Sequence, residues 1–253
     1  MGWLRIVGIG PGPAMWLTPE ANAVLHSATD VVGYQSYLAA LPESVAAQRH
    51  ASGNGVELER ARFAVQRAAD GAQVAVVSGG DAGVFGMAAA VFEVIQSEPK
   101  WQQLDVEVVP GLTAVLAAAA RVGAPLGHDF CVMSLSDHLK PWSIIEQRLR
   151  AATLGDLVLA IYNPAARGRR EQIERALRQL AQERGNETPA IVATSVGRDD
   201  ESVCVTTLGR LVHETQTINM QTLLIVGSSH TRLIERAGRP PLVYTPRFYD
   251  APP

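Results

Sequence analysis

Short apolar runs alternate with helical patterns along most of the chain. The runs are rich in β-branched residues, and several are followed directly by glycine, proline or serine. They predict strands over residues 5–9, 30–33, 73–78, 106–109, 130–135, 157–162, 190–194, 203–206 and 222–227. Strands that alternate with helices predict an α/β protein with substantially parallel sheets. Because open α/β sheets bind ligands at their strand ends, we expect these loops to carry the function.

The helices have clear start and stop signals. Thr18-Pro19-Glu20 combines an N-cap hydroxyl, a proline at the first helical position and a carboxylate in the first turn. A second helix is predicted over residues 56–69, before Gly71, and an alanine-rich helix over residues 114–122. Residues 123–127 then break both patterns with glycine and proline. This segment predicts an N-terminal domain of residues 1–123 and a C-terminal domain of residues 124–253.

Composition narrows the class of protein. In 253 residues, 47% are hydrophobic and 19% are charged, which is typical of a globular protein. No apolar run reaches the length of about 20 residues that spans a bilayer, so we expect a cytoplasmic protein without a membrane partner. The net charge of −3 argues against a nucleic-acid partner. Cys131 and Cys204 lie in strand-like runs without metal-ligand spacing, so we expect buried, small hydrophobic residues and no metal.

A glycine-rich loop, Gly8-Ile9-Gly10-Pro11-Gly12-Pro13, follows the first predicted strand. Phosphate sites use consecutive backbone N–H groups and an adjoining helix, but the two prolines lack N–H and the helix signal comes only at Thr18. Dinucleotide sites also need an acidic residue at the end of the next strand, whereas Asp30 begins that strand. The loop therefore predicts a stiff, donor-poor lining of a cleft, with a ligand-free strand exit as the alternative.

Three motifs together resemble the signatures of the tetrapyrrole methylases. The first is the glycine loop, the second is Ser78-Gly79-Gly80-Asp81-Ala82-Gly83-Val84-Phe85, and the third is Val109-Pro110-Gly111-Leu112-Thr113-Ala114. The second signature usually reads Gly-Asp-Pro, so Ala82 replaces its proline, while Asp81 and the flanking glycines are kept.

Longer runs resemble one branch of that family, the enzymes that act on precorrin-3B in aerobic cobalamin biosynthesis. These runs are residues 123–130, 135–142 and 162–164, and the likeness extends over nearly the whole chain to residues 245–249. The resemblance implies two α/β domains with the active-site cleft between them, S-adenosylmethionine as cofactor with S-adenosylhomocysteine as product, and a homodimer. The implied reaction is methylation of a tetrapyrrole, precorrin-3B, at C-17 with ring contraction to precorrin-4.

The resemblance also implies cofactor contacts, position by position. The motif residues are Pro11, Gly80, Asp81, Val84, Phe85, Thr113, Ala114 and Tyr162, and later strand ends add Val196, Gly197, Thr222 and Leu223. We interpret Asp81 as an acceptor for polar groups of the cofactor. A carboxylate that only caps its own loop is the alternative.

Candidates for substrate chemistry lie in the branch-specific runs. Ring contraction needs a proton donor and an acceptor, which Asp137, His138, His128 and Lys140 supply, although each also has a structural interpretation. The many carboxylates of the substrate call for cationic anchors. The densest basic cluster consists of Arg167, Arg169 and Arg170, at the start of a predicted helix. Cations are unfavourable at a helix N-terminus, which indicates that these residues serve another purpose and could be the anchors. A solvated basic face is the alternative.

Two further hypotheses remain open at this point. A related methylase could act on another precorrin, on uroporphyrinogen, on ribosomal RNA or on a translation factor, and the low positive charge disfavours RNA. Alternatively, a non-catalytic carrier or sensor could bind S-adenosylmethionine or a tetrapyrrole without turnover, since fold and motif do not prove chemistry.

Overall fold

The computed structural model describes residues 2–165 and 170–249. The chain divides into two compact units, one ending at Ala114 and the other beginning at Val115. This division falls at the start of the alanine-rich helix, whereas the sequence places it after that helix. The Gly/Pro segment belongs to the second unit because Ala124 O accepts a hydrogen bond from Thr245 N at 3.1 Å.

The first unit is built around a five-stranded sheet in the order β3-β2-β4-β1-β5. All of its strand pairs are parallel. Its elements are β1 (Trp3–Gly8), α1 (Pro19–Ser27), β2 (Asp30–Tyr34), α2 (Gln35–Ala39), β3 (Gln48–Ser52), α3 (Glu57–Ala69), β4 (Gln73–Ser78), α4 (Met87–Ser97) and β5 (Val106–Val109). The order places β1 between β4 and β5, so the loops that follow these three strands are neighbours.

Helices cover both faces of this sheet, which explains its near-continuous apolar strands. On one face Leu4 and Ile6 pack with Val65 of α3, and on the other Val7 packs with Leu25 of α1. The predicted N-cap is confirmed, because Thr18 Oγ1 accepts a hydrogen bond from Ala21 N at 3.1 Å.

The second unit contains a five-stranded sheet in the order β10-β9-β11-β8-β7 and a three-stranded sheet in the order β12-β13-β6. Its elements are α5 (Ala114–Val122), β6 (Gly123–Ala124), β7 (Phe130–Ser134), α6 (Trp142–Leu154), β8 (Val158–Tyr162), α7 (Arg170–Arg184), β9 (Pro189–Thr194), β10 (Ser202–Thr207), α8 (Leu208–Leu211), β11 (Thr222–Val226), β12 (Arg232–Arg236) and β13 (Arg239–Tyr244). Helices α6, α7 and α8 contribute to one core with the larger sheet.

The expectation of substantially parallel sheets holds for the first unit and is wrong for the second. In the larger sheet of the second unit only β7 and β8 run parallel, whereas β11 runs antiparallel to both β8 and β9, and β10 antiparallel to β9. The β9–β10 connection, residues 195–201, is too short for the crossover that parallel strands need. Buried apolar runs look alike in either direction, so the sequence pattern could not distinguish them.

The prediction of two buried cysteines is also corrected. Cys131 in β7 is half-buried, and burial raises the pKa of its thiol although Arg184 opposes the shift. Cys204, in the edge strand β10, is exposed. Among the described residues, no group of three His, Cys, Asp or Glu side chains is placed to hold a metal ion. No helix in the same part of the chain is long and apolar enough to cross a membrane.

Candidate functional site

Three glycine-containing loops meet at the carboxyl edge of the first sheet. They follow β1, β4 and β5 and contain the three motifs. The first two are joined by a pair of backbone hydrogen bonds, from Gly10 N to Gly80 O at 3.0 Å and from Gly80 N to Gly10 O at 2.8 Å. Both glycines have positive φ, +76° and +72°, which other residues adopt only with strain.

The third loop lies directly against the other two. A Cβ on Gly111 would lie 2.3 Å from the carbonyl oxygen of Gly80 and 2.6 Å from the carbonyl carbon of Gly8. Side chains are therefore excluded at this position, because the obstructing atoms are backbone. Of the predicted cofactor residues, Pro11 lies in the first loop, Thr113 lies in the third, and Ala114 begins α5 directly after it.

Asp81 connects the second loop to the third. Its Oδ1 accepts a hydrogen bond from Gly83 N at 2.8 Å, and its Oδ2 accepts one from Gly111 N at 2.9 Å. The carboxylate thus stabilises both loops through hydrogen bonds. This is the loop-capping role given above as the alternative for Asp81. A carboxylate offers about four acceptor positions, so these bonds leave capacity for a ligand.

The residues after Asp81 present an aromatic side chain at this edge. Phe85 is 54% exposed and has a φ of +53°, a conformation that is rare for a bulky residue. Its neighbour Val84 is half-buried. The loop is closed by Ser78 Oγ, which accepts a hydrogen bond from Met87 N at 2.9 Å at the start of α4. Strained residues of this kind are concentrated at binding sites.

The remaining predicted cofactor residues are grouped at one edge of the larger sheet in the second unit. Tyr162 ends β8, Val196 and Gly197 follow β9, and Thr222 and Leu223 begin the antiparallel β11. Thr222 pairs with Thr194, and their hydroxyl oxygens are 2.9 Å apart. Thr222 and Leu223 are each only 4% exposed, backbone included, so the structure does not support direct ligand contact at these two positions.

Tyr162 caps the alanine-rich helix. Its phenol oxygen accepts a hydrogen bond from Val115 N at 2.9 Å. The first N–H groups of a helix have no partner within the helix, so this contact stabilises the first turn of α5. Asn163, the next residue, has a φ of +50°, and its amide donates to Ser134 Oγ at 3.0 Å.

Three of the predicted catalytic residues follow β7 at this same edge. Asp137 Oδ2 accepts a hydrogen bond from Gln172 Nε2 at 3.1 Å, and Lys140 Nζ donates to Ser136 O at 3.1 Å. Burial lowers the pKa of Lys140, as does the nearby Arg148, although Asp137 opposes the shift. His138 is exposed.

The structure does not bring His128 together with these residues. His128 precedes β7 while Asp137 follows it, and a five-residue strand separates the two edges by roughly 16 Å. Its ring instead makes an edge contact with Tyr249 at 5.2 Å between centroids. The Tyr249 hydroxyl donates to Asp156 at 3.0 Å, so His128 belongs to a separate polar cluster.

The predicted basic anchors lie at or just before the start of α7, and the structure describes only the backbone of one of them. Arg167 and Arg169 lie outside the described residues. Arg170 begins α7, and its side chain is also outside them. Sequence reasoning missed Gln172 and Glu201, which contact Asp137 and Gly197, and it missed Arg121, which binds Glu201. No motif marks them, because the contacts of Gln172 and Arg121 join residues that are distant along the chain.

Comparison with known proteins identifies the family. The profile of the tetrapyrrole (corrin/porphyrin) methylases matches residues 4–212. The chain belongs to this family, and its three loop motifs lie within the matched residues.

Two similar curated proteins align over almost their full lengths. A precorrin-3B C(17)-methyltransferase from Sinorhizobium sp. is 47% identical over 98% of this chain and 97% of its own. A probable cobalt-factor III C(17)-methyltransferase from Salmonella typhimurium is 42% identical over 97% of this chain and 99% of its own.

Solved structures agree with the fold. The crystal structure of the methyltransferase CobJ has a TM-score of 0.90 and 42% identity, covering 97% of this chain and 100% of that one. A uroporphyrin-III C-methyltransferase from Thermus thermophilus, complexed with S-adenosylhomocysteine, has a TM-score of 0.68 and 22% identity. It covers 89% of this chain and 92% of its own, and at this identity the likeness concerns the fold.

Proposed function

We propose that the protein is an S-adenosylmethionine-dependent methyltransferase that methylates precorrin-3B at C-17 and contracts the macrocycle to precorrin-4 in cobalamin biosynthesis. The observation that carries this proposal is the 47% identity to a precorrin-3B C(17)-methyltransferase over nearly the full length of both chains. Intact motif loops at the edges of both large sheets argue against a non-catalytic carrier.

The chain's own loops fit the proposed cofactor. S-Adenosylmethionine carries an aromatic base, a cationic sulfonium and an amino acid, but no phosphate. Residues 8–13, 78–86 and 110–114 contain no lysine or arginine, and they include the exposed ring of Phe85. An edge without positive charge and with an exposed aromatic ring suits this ligand better than a nucleotide phosphate.

When bound, the cofactor supplies an electrophilic methyl group for in-line transfer to a nucleophilic carbon. The chain's contribution to this step is to position the reactants, which can lower the activation barrier by up to about 7–11 kcal/mol in favourable cases. The loops held by Asp81 and Gly111 would orient the cofactor in the first unit. Tyr162 and the turn at Val196 and Gly197 would do so in the second.

For ring contraction, we assign the proton-transfer role to the cluster after β7. Asp137 is oriented by Gln172, and Lys140 supplies a cation whose pKa is lowered. His138 is exposed beside them as a second candidate donor. Arg167, Arg169 and Arg170 are proposed as anchors for the substrate carboxylates, since guanidinium groups bind carboxylates in a bidentate manner.

A cobalt-containing substrate is a second candidate, favoured by the 42% identity to a probable cobalt-factor III C(17)-methyltransferase. Cobalt would then be part of the substrate. We further propose a cytoplasmic homodimer, which light scattering of the purified protein would test.

The deciding experiment is an anaerobic incubation of the protein with S-adenosylmethionine and either precorrin-3B or cobalt-factor III. Mass spectrometry and absorbance would follow the products. We expect a product heavier by one methylene group, with an altered chromophore, from precorrin-3B. Exclusive turnover of cobalt-factor III would shift the assignment to the cobalt-containing substrate, and turnover of neither would contradict the proposal.

A further inference from the structure

An ordered loop, residues 195–201, connects β9 to the edge strand β10. It begins with Ser195, which has a φ of +52° and whose hydroxyl donates to Asp200 Oδ2 at 2.9 Å. Two backbone hydrogen bonds, from Arg198 N to Ser195 O and from Glu201 N to Arg198 O, both 3.0 Å, close the loop. The loop contains Val196 and Gly197, the two positions assigned to the cofactor after β9.

Glu201, the last residue of the loop, binds the backbone of the loop through its side chain. Its Oε2 accepts a hydrogen bond from Gly197 N at 2.6 Å. The N–H of Gly197 is therefore used within the loop, so a ligand at this position would meet its Cα or carbonyl group. Gly197 has a φ of +81°, which only glycine adopts without strain, so the turn requires glycine at the residue whose N–H Glu201 binds.

Arg121, near the end of α5, binds the same carboxylate. Arg121 Nε lies 2.8 Å from Glu201 Oε1, and a terminal guanidinium nitrogen donates to Oε2 at 3.0 Å. This fork geometry specifies both distance and orientation. Burial raises the pKa of Glu201, but the hydrogen bonds from Arg121 and Gly197 outweigh it and lower the pKa overall. The carboxylate is thus held in its charged form.

Helix α5 is consequently tied to the proposed cofactor edge at both ends. Tyr162 caps its first turn through Val115, and Arg121 ties its last turn to the 195–201 loop through Glu201. These contacts connect Tyr162 with Gly197 through one rigid element. Neither Arg121 nor Glu201 lies in a family signature quoted above.

We infer that Arg121 and Glu201 are positioning residues for S-adenosylmethionine, holding the Val196–Gly197 turn in its binding conformation. The inference rests on the proposed function, because it takes this turn as a cofactor contact. It predicts that the pair affects cofactor affinity more than turnover.

The test measures S-adenosylhomocysteine binding by titration calorimetry for the wild type and four variants. E201A removes both contacts and R121M removes the ion pair, and each should raise Kd about tenfold, since a hydrogen bond to a charged group contributes about 1.5 kcal/mol. E201Q keeps an acceptor for Gly197 N and should raise Kd by only about threefold. E174A is the matched control, because it removes a surface ion pair, Arg178–Glu174, within α7.

Kinetics separate positioning from general damage. The KM for S-adenosylmethionine should rise in E201A and R121M while kcat stays near the wild-type value, which loss of folded protein would not produce. Wild-type affinity in both E201A and R121M would overturn the inference, and so would an equal loss of affinity in E174A. A wild-type protein that does not bind S-adenosylhomocysteine would overturn the proposed cofactor itself.

Discussion

The phenol oxygen of Tyr162 accepts a hydrogen bond from the backbone N–H of Val115 at 2.9 Å. This bond joins the end of β8 to the first turn of α5, directly after the Thr113-Ala114 motif. The bond therefore joins two segments of the second unit that are distant along the chain.

Replacing Tyr162 with phenylalanine should weaken S-adenosylhomocysteine binding several-fold and lower the free energy of unfolding by about 1 kcal/mol, because Val115 N loses its acceptor. Calorimetry and urea unfolding would measure the two effects. Y249F is the matched control, since it removes a phenol that donates to Asp156 in the separate cluster. The interpretation fails if Y249F weakens binding as much as Y162F does.

Replacing Asp81 with alanine should abolish measurable S-adenosylhomocysteine binding. The change removes the acceptor for both Gly83 N and Gly111 N, so the second and third loops lose their connection. D81N retains one oxygen as a hydrogen-bond acceptor and should bind S-adenosylhomocysteine with intermediate affinity. Unchanged calorimetric titration of D81A would remove Asp81 from the proposed site.

A methyl group at Gly111 should destabilise the first unit by about 2 kcal/mol or more, since overpacking against fixed atoms is costly. The obstructing atoms belong to the backbone of Gly80 and Gly8. G53A is the control, because nothing lies within 4 Å of a Cβ at Gly53. Thermal unfolding of G111A at the wild-type temperature would contradict the close packing of Gly111 against Gly80 and Gly8.

Asp30 should make stability depend on pH. Burial raises its pKa, but hydrogen bonds from Thr29, Arg67 and His50 outweigh that effect and lower the pKa below its usual value. A lowered folded pKa stabilises the protein above the unfolded pKa of about 4, and the contribution is lost as pH falls through the folded pKa. Maximal stabilisation by Asp30 is therefore expected near neutral pH.

D30N should accordingly be less stable than wild type by about 2 kcal/mol near neutral pH, and the difference should shrink below about pH 4. Urea unfolding across this range would measure it. D105N, which changes the exposed partner of Arg5, should have little effect. A pH-independent difference between D30N and wild type would show that charge is not the cause.

Replacing Asp137 with asparagine should lower kcat about 100-fold while leaving S-adenosylhomocysteine affinity unchanged, if this carboxylate transfers a proton. Q172L should have a smaller effect, about tenfold, because it removes only the side chain that orients Asp137. H128Q should retain wild-type kcat because His128 lies at the opposite edge of the sheet. Loss of turnover in H128Q, with wild-type turnover in D137N, would assign proton transfer to His128 and exclude Asp137.

Much of the fold can be predicted from local pattern. All nine predicted strand runs correspond to strands, and the alanine-rich helix has its predicted limits. The polar edge strand β3, the two-residue strand β6, and the short strands β12 and β13 were missed, since they lack the long apolar runs on which the prediction depends. The three motifs can also be recognised from local sequence, because the loop geometry requires glycine at positions 10, 80 and 111 and uses the carboxylate of Asp81.

Tertiary structure alone decided which motifs meet and which residues support them. The three glycine loops lie together because β1 is between β4 and β5, an order that no local pattern specifies. His128 and Asp137 are close along the chain, yet the intervening strand places them at opposite edges. Gln172, Arg121 and Glu201 acquire their contacts only on folding, because hydrogen bonds depend on distance in space and not on separation in sequence.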